Sequence, residues 1–297
     1  MATNAGGKDE QDDRAIALTE LSIIEEIGQG TTATVYRGKL RGTVVAVKEI
    51  HILNDDTDMA IIQAAQRELR VLSKCSHPNI VHFVGLVVES FPIRLVLEYC
   101  AGGSLFDLLH NYLDVDICWD QRFKVLHDTA SAEDYLHNFE PPIIHRDLKS
   151  LNLMLLEPVT DSKTLPHVKL ADFGFARLEA AHMTSCVGTK HWMAPEVLES
   201  NTYTTKADVF SFAMLAYEVA FRAVPFCTLD AHEVARKTRQ GIRPSFDEPD
   251  EQAPDDVTEM IALCWEQDPE MRPDFKYIKN AVAQAALRAR SAGTTTL

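Results

Sequence analysis

The stretch that most constrains what this chain can fold into is Ile144-His145-Arg146-Asp147-Leu148-Lys149-Ser150-Leu151-Asn152, followed downstream by Asp172-Phe173-Gly174. It gathers a carboxylate, an ammonium and a carboxamide within six residues, with a second carboxylate beside a glycine twenty-five positions after the first. Such a set can hold a divalent cation and a phosphate chain while one acid addresses a hydroxyl, which is the chemistry of phosphoryl transfer. An isolated His-Arg-Asp arises by chance. With Lys149 and Asn152 at these offsets and Asp172 beyond them, coincidence is a poor explanation.

Length and charge limit what the motif can belong to. At 297 residues the chain is long for one core and comfortable for two lobes around a cleft. Its 44 acids against 29 bases give a net charge of -15, which repels phosphate backbones and anionic membrane surfaces, so neither nucleic acid nor membrane is expected as a partner. The six cysteines are scattered and form no Cys-x-x-Cys pair, which argues for reduced thiols and against a cysteine zinc site or disulfide framework. No apolar run approaches ~20 residues, and Met1-Ala2-Thr3-Asn4-Ala5-Gly6-Gly7 lacks the basic and apolar regions of a secretory signal. A cytoplasmic location is expected, with the nucleus open.

Taken in order, residues 1–18 are small, polar and acidic and read as a disordered tail. A strand begins at Leu21 and runs into Gly28-Gln29-Gly30-Thr31-Thr32-Ala33-Thr34-Val35, where two glycines let backbone N–H groups approach phosphates that a Cβ would obstruct. Thr43 to Lys48 is a β-branched strand ending in a lysine. Over residues 57–75, Met59, Ile62, Gln66, Leu69 and Leu72 recur at helical spacing and place Glu68 on an amphipathic helix. Two further strands, 83–88 and 93–98, lead to the small-residue linker Tyr99-Cys100-Ala101-Gly102-Gly103-Ser104. Helices follow over Trp119 to about Asn138, over 205–221 and from about Phe275 to Arg290; the second is apolar on nearly every face and so reads as fully buried.

Together these segments resemble the eukaryotic protein kinases over roughly residues 21–290. The resemblance implies an α+β, two-lobed fold: a small antiparallel β N-lobe with one main helix (19–98), a hinge (99–104), a mainly helical C-lobe (105–290) and a polar tail (291–297). It implies ATP and Mg²⁺ as cofactors. Asp147 would address the substrate hydroxyl, Lys149 would lie against the transferring phosphoryl group, and Asn152 and Asp172 would hold the metal. Lys48 would grip the phosphates, paired with Glu68. Ile27, Gly28, Gly30, Val35, Ala46, Leu97, Glu98, Cys100 and Met154 would surround the nucleotide, with Leu97 restricting access behind the adenine. His145 and Phe173 would be packing residues, stacked with Leu72 and Phe83.

Ala33 stands where the kinase pattern usually has a third glycine, and Cys100 reads as an exposed hinge thiol. Glu157 to His167 exceeds the usual hairpin loop and is expected to leave the chemistry untouched. The segment ending in Gly188-Thr189-Lys190-His191-Trp192-Met193-Ala194-Pro195-Glu196 is similar to an activation segment. There Arg146 could pair with a phosphate on Thr184 or Ser185, placed by an upstream kinase. Asp208 would brace the catalytic loop, and Glu196 would pair with Arg272. Lys149 and Thr189 together favour Ser/Thr in protein substrates. Trp192 to Glu196 and Cys264 to Pro273 look like the tyrosine-kinase-like group, so dual specificity stays open, as does a catalytically silent scaffold. Oligomeric state is not indicated.

Overall fold

The computed structural model describes residues 14–30, 33–51, 58–89, 91–173, 189–200, 204–247 and 252–291. The chain divides into two compact units, Met1–Cys75 with Val81–Tyr99 and Ser76–Ile80 with Cys100–Leu297.

In the first unit, β1 (Leu21–Gln29), β2 (Ala33–Leu40), β3 (Thr43–Ile50), β4 (Phe83–Val87) and β5 (Arg94–Glu98) form an antiparallel sheet in the order β1-β2-β3-β5-β4. The two-residue period of β3 sorts its side chains. Val45 and Val47 join Val87, Val96 and Ile16 in a core on one face. Ile50 turns to the other face, where it and Leu95 meet Ala33 and Ala65. Ala65 belongs to α1 (Asp58–Leu72), whose buried Ala65, Glu68 and Leu72 share one helical face.

Two boundaries differ from expectation. Residues 14–18 do not belong to a disordered tail. Ala15 pairs with Leu86 on the β4 edge, the Ile16 N–H donates to the Leu86 carbonyl at 2.8 Å, and the Ile16 side chain is buried in the sheet core. Gly85 permits this approach, since a Cβ there would lie 2.6 Å from the Arg14 carbonyl oxygen. Ser76–Ile80, expected in the N-lobe, clusters with the second unit. The Asn79 side chain donates to the Val168 carbonyl at 3.0 Å, its carbonyl accepts from the Leu170 N–H at 2.8 Å, and His77 stacks on Tyr135.

The second unit is built on α2 (Trp119–His137) and α4 (Thr205–Phe221), joined by α3 (Pro195–Ser200), α5 (Ala231–Arg239), α6 (Asp255–Cys264), α7 (Phe275–Ser291) and the short hairpin β6 (Leu153–Leu155) and β7 (Val168–Leu170). Every residue of α4 from Ala207 to Phe221 is buried, as its all-round apolar pattern requires. Thr204 caps its N-terminus through the Lys206 N–H. At its C-terminus Arg222 takes a left-handed backbone (φ 48°), and its guanidinium donates to the carbonyls of Leu108, Leu109 and Val115. The long β6–β7 connection is docked: Gln121 on α2 donates to the carbonyls of Asp161 and Thr164 at 2.6 and 2.8 Å.

Candidate active site

The first unit supplies a lysine on a sheet face. Val35 lies opposite Lys48 and Ala46 opposite Leu97, so the register puts Val35, Ala46, Lys48 and Leu97 on the same face. Lys48 Nζ donates to both Glu68 carboxylate oxygens at 2.8 Å. The Glu68 side chain is 3% exposed and that of Lys48 15%, so each charge relies on the other in place of water. Beside them, Gly28 pairs with Val35, and the Gly30 N–H donates to the Ala33 carbonyl at 2.8 Å. The Ala33 methyl, where a glycine was expected, is buried against the Ile50 and Leu95 cluster, which gives the substitution a packing reason. Ile27 is 45% exposed. The Glu98 N–H is taken by the His82 carbonyl at 2.9 Å, so the backbone group of Glu98 suited to an adenine edge is its carbonyl.

The second unit supplies the acids. Lys149 Nζ donates to Asp147 Oδ2 at 2.6 Å, and Asn152 Nδ2 donates to the Asp147 carbonyl at 2.7 Å and to Oδ2 at 2.9 Å. All three are buried. Burial pushes the Asp147 carboxyl above the ordinary carboxylate range; Lys149 opposes that and the Asp172 charge adds to it. Asp172 holds a left-handed backbone (φ 63°), which aims it differently from the strand before it. This donor set fits a hard divalent cation. Asn152 spends its N–H groups on Asp147, which turns its carbonyl oxygen the other way, and a carboxylate stands near, the oxygen ligands Mg²⁺ takes. Met154, expected under the adenine, is half-buried in β6 and bridges to Ser104.

The loop is held from beneath by α4. Asp208, wholly buried, accepts the His145 and Arg146 N–H groups, each at 2.8 Å. Glu218, also wholly buried, accepts from Ser150 Oγ at 2.6 Å, from Trp192 Nε1 at 3.1 Å and engages His110 Nε2 at 2.8 Å. Sequence reasoning found Asp208 and missed Glu218, although an acid within the long apolar run after Ser211 is itself a signal of a buried, bonded carboxylate. His145 packs edge-on against Phe173 at 5.1 Å.

Arg272 clamps Glu196 with paired bonds of 2.7 and 2.9 Å. Cys100, expected to be an exposed hinge thiol, is 8% exposed. Thr184 and Ser185 lie outside the described residues; Thr189 opens a one-turn helix, Thr189–His191.

A lysine–glutamate pair in a β-unit, and an Asp-Lys-Asn loop with a second aspartate in a helical unit, define a nucleotide-phosphate-handling protein. Residues 21–283 match the protein kinase domain model, and the chain belongs to that family. It is 35% identical over 270 residues to the probable serine/threonine-protein kinase drkC of Dictyostelium discoideum, covering 89% of this chain and 35% of that protein. It is 37% identical to the serine/threonine-protein kinase VIK of Arabidopsis thaliana (87% of this chain, 58% of VIK) and 35% identical to CTR1 of the same plant (90% and 32%). The chain thus spans about a third of drkC and CTR1 and just over half of VIK.

Proposed function

We propose that this chain is an ATP-dependent protein kinase that transfers the γ-phosphoryl group to serine and threonine hydroxyls of protein substrates. The observation that carries the reading is the buried Asp147, bonded at once by Lys149 and Asn152. Asp147 orients the acceptor hydroxyl and takes its proton, aided by a carboxyl that burial makes more basic. Lys149 lies beside the same oxygen and offers a cation to the charge that spreads over the phosphoryl oxygens. Asn152 and Asp172 would hold Mg²⁺, which when bound neutralises phosphate charge. Lys48, oriented by Glu68, would grip the phosphates. Val35, Ala46 and Leu97 offer an apolar face for the base, beside Ile27, Gly28, Gly30 and Glu98 of the same unit, and Cys100 and Met154 of the second unit would contribute to nucleotide binding.

Support for serine and threonine comes from Lys149 with Thr189 and from relatives that carry the serine/threonine-kinase name. We take the folded domain to run from Arg14, before the expected start at residue 19, to about residue 290. A cytoplasmic location, control by an upstream kinase through Arg146 with Thr184 or Ser185, and lack of affinity for nucleic acid or membrane belong to the same proposal. Phosphoamino-acid analysis of a basic protein substrate after incubation with Mg·ATP tests it. Phosphoserine and phosphothreonine are expected. Phosphotyrosine alongside them would mark dual specificity, and no transfer at all would favour a scaffold.

A further inference from the structure

A second polar cluster lies where α2 meets α4, apart from the groups assigned to phosphate transfer. Glu133 and His137 stand one turn apart on α2, and Asp208 lies in the first turn of α4. His137 Nε2 is 3.0 Å from Asp208 Oδ2 and 3.6 Å from Glu133 Oε2, and one potential ligand atom from each residue falls within 4.8 Å of the other two. Glu133 and Asp208 are 0% exposed. Neither carboxylate oxygen of Glu133 has a hydrogen-bond partner among the described residues.

Apart from His137 one turn on, the surroundings of Glu133 along α2 do not call for an acid. Its neighbours Ala130, Ala132 and Leu136 are apolar and wholly buried, so an apolar side chain would serve the helix better. A buried polar group without a bond costs roughly 1–3 kcal/mol. Desolvation, and then the charge of Asp208, push the Glu133 carboxyl well above its ordinary range, which is the mark of two acids with too little positive charge between them.

We propose that Glu133, His137 and Asp208 form a binding site for a divalent transition metal of the Zn²⁺ class. An imidazole nitrogen with two carboxylate oxygens makes three protein ligands and leaves a fourth position for water. The imidazole favours such a metal over Mg²⁺ or Ca²⁺. Bonds of ~2.0–2.2 Å in a tetrahedral site give ligand-to-ligand edges of roughly 3.3–3.6 Å. The His137 separations of 3.0 and 3.6 Å lie at or near that range, and the Glu133 and Asp208 oxygens, within 4.8 Å of each other, close the third edge as the ion draws them in. Two positive charges balance the two carboxylates.

On binding, the Glu133 carboxyl loses its proton to solvent. A proton held on Nε2, the ring nitrogen that faces Asp208, moves to Nδ1, which frees the Nε2 lone pair for the metal. Asp208 keeps Oδ1 on the Arg146 N–H, and Oδ2 has a second lone pair beside the one bonded to His145 N–H. Of the three ligands His137 is the one solvent touches, its side chain 12% exposed against 0% for the two acids. Once seated, it ties α2 and α4 to the backbone of His145 and Arg146. The site stands or falls independently of the kinase reading.

The test titrates metal-stripped, tag-free protein with Co²⁺ as a spectroscopic stand-in and with Zn²⁺, comparing wild type with Glu133→Leu and Glu133→Gln. In wild type, one equivalent of Co²⁺ gives the visible absorption of a four-coordinate site without thiolate charge-transfer bands, and one equivalent of Zn²⁺ displaces it and raises the unfolding midpoint. Both variants lose the midpoint shift and bind Co²⁺ at least roughly tenfold more weakly. Should Glu133→Leu fail to fold, Glu133→Gln, which keeps the shape, carries the comparison. Equal Co²⁺ affinity in wild type and variant, thiolate bands in wild type, or a midpoint indifferent to Zn²⁺ would overturn the proposal.

Discussion

Arg272→Ala isolates what the clamp between α3 and the segment before α7 contributes. The Arg272 side chain is 0% exposed. Its guanidinium makes the paired bonds to Glu196, donates to the carbonyls of Lys206, Glu266 and Gln267 at 2.9, 2.8 and 3.3 Å, and lies 5.1 Å from the centre of the Phe210 ring. Removing one member of a buried pair costs roughly 3–5 kcal/mol. Glu196 is 20% exposed and recovers some water, which lowers the figure, while the carbonyls that lose their donor raise it. About 4 kcal/mol is the balance, and at roughly 2–4 °C per kcal/mol for a unit of this size the midpoint should fall by about 8–16 °C.

Thermal unfolding followed by far-ultraviolet circular dichroism reads this directly. Arg272→Lys keeps the charge but not the fork and should fall between wild type and alanine. Adding Glu196→Ala to Arg272→Ala should cost less than the two single changes summed, because the paired bonds between them are already lost. An Arg272→Ala midpoint within about 2 °C of wild type would refute the reasoning, since it would place the cost near 1 kcal/mol or less.

Lys48→Met removes both ammonium bonds from the buried Glu68 carboxylate and should destabilise the first unit by roughly 3–5 kcal/mol. Glu68→Leu added to it should restore stability but not phosphoryl transfer, so chemical denaturation and activity part company. Gly85→Ala drives a methyl into the Arg14 carbonyl and Ile16; limited proteolysis should then cut near residues 14–18 faster than in wild type, and equal rates would contradict their docking. Burial pushes the Cys75 thiol up to about 11 and Cys264 higher still, whereas Cys227 is exposed. Alkylation at about pH 8, near the ordinary thiol range, should label Cys227 before Cys75 and Cys264 and spare the latter two until unfolding, as peptide mapping would show. Unfolded thiols ionise at lower pH than these buried ones, so stability should decline as pH climbs from about 8.5 toward 11.

How far the sequence could be read depended on whether the chemistry of a position was local. Asp147, Lys149 and Asn152 sit so close along the chain that their mutual bonds follow from the loop alone, and their spacing announced them. The β-branched alternation of Thr43 to Ile50 fixed a strand and its two faces, and the apolar α4 announced its burial. Glu133 shows the opposite case. On α2 it lies four residues after Thr129 and three before Leu136, so its place on the buried face was legible, whereas the nearness of Asp208, on a helix far along the chain, was not. Residues 14–18 were missed for a related reason: Ile16 is a single apolar residue in a polar stretch, and the sheet edge that receives it lies about 70 positions away. Cys100 looked exposed because small residues surround it in the sequence, yet it is buried.

The central claim is best tested by intact mass spectrometry of a basic protein substrate incubated with Mg·ATP and either wild type or Asp147→Asn. Mass should accrue in phosphate steps with wild type and slow by about 10²- to 10⁴-fold with the variant, whose circular dichroism should be unchanged. Equal phosphate incorporation by both proteins would contradict the role of Asp147, and none by wild type, even after pre-phosphorylation by an upstream kinase, would contradict the assignment as a kinase.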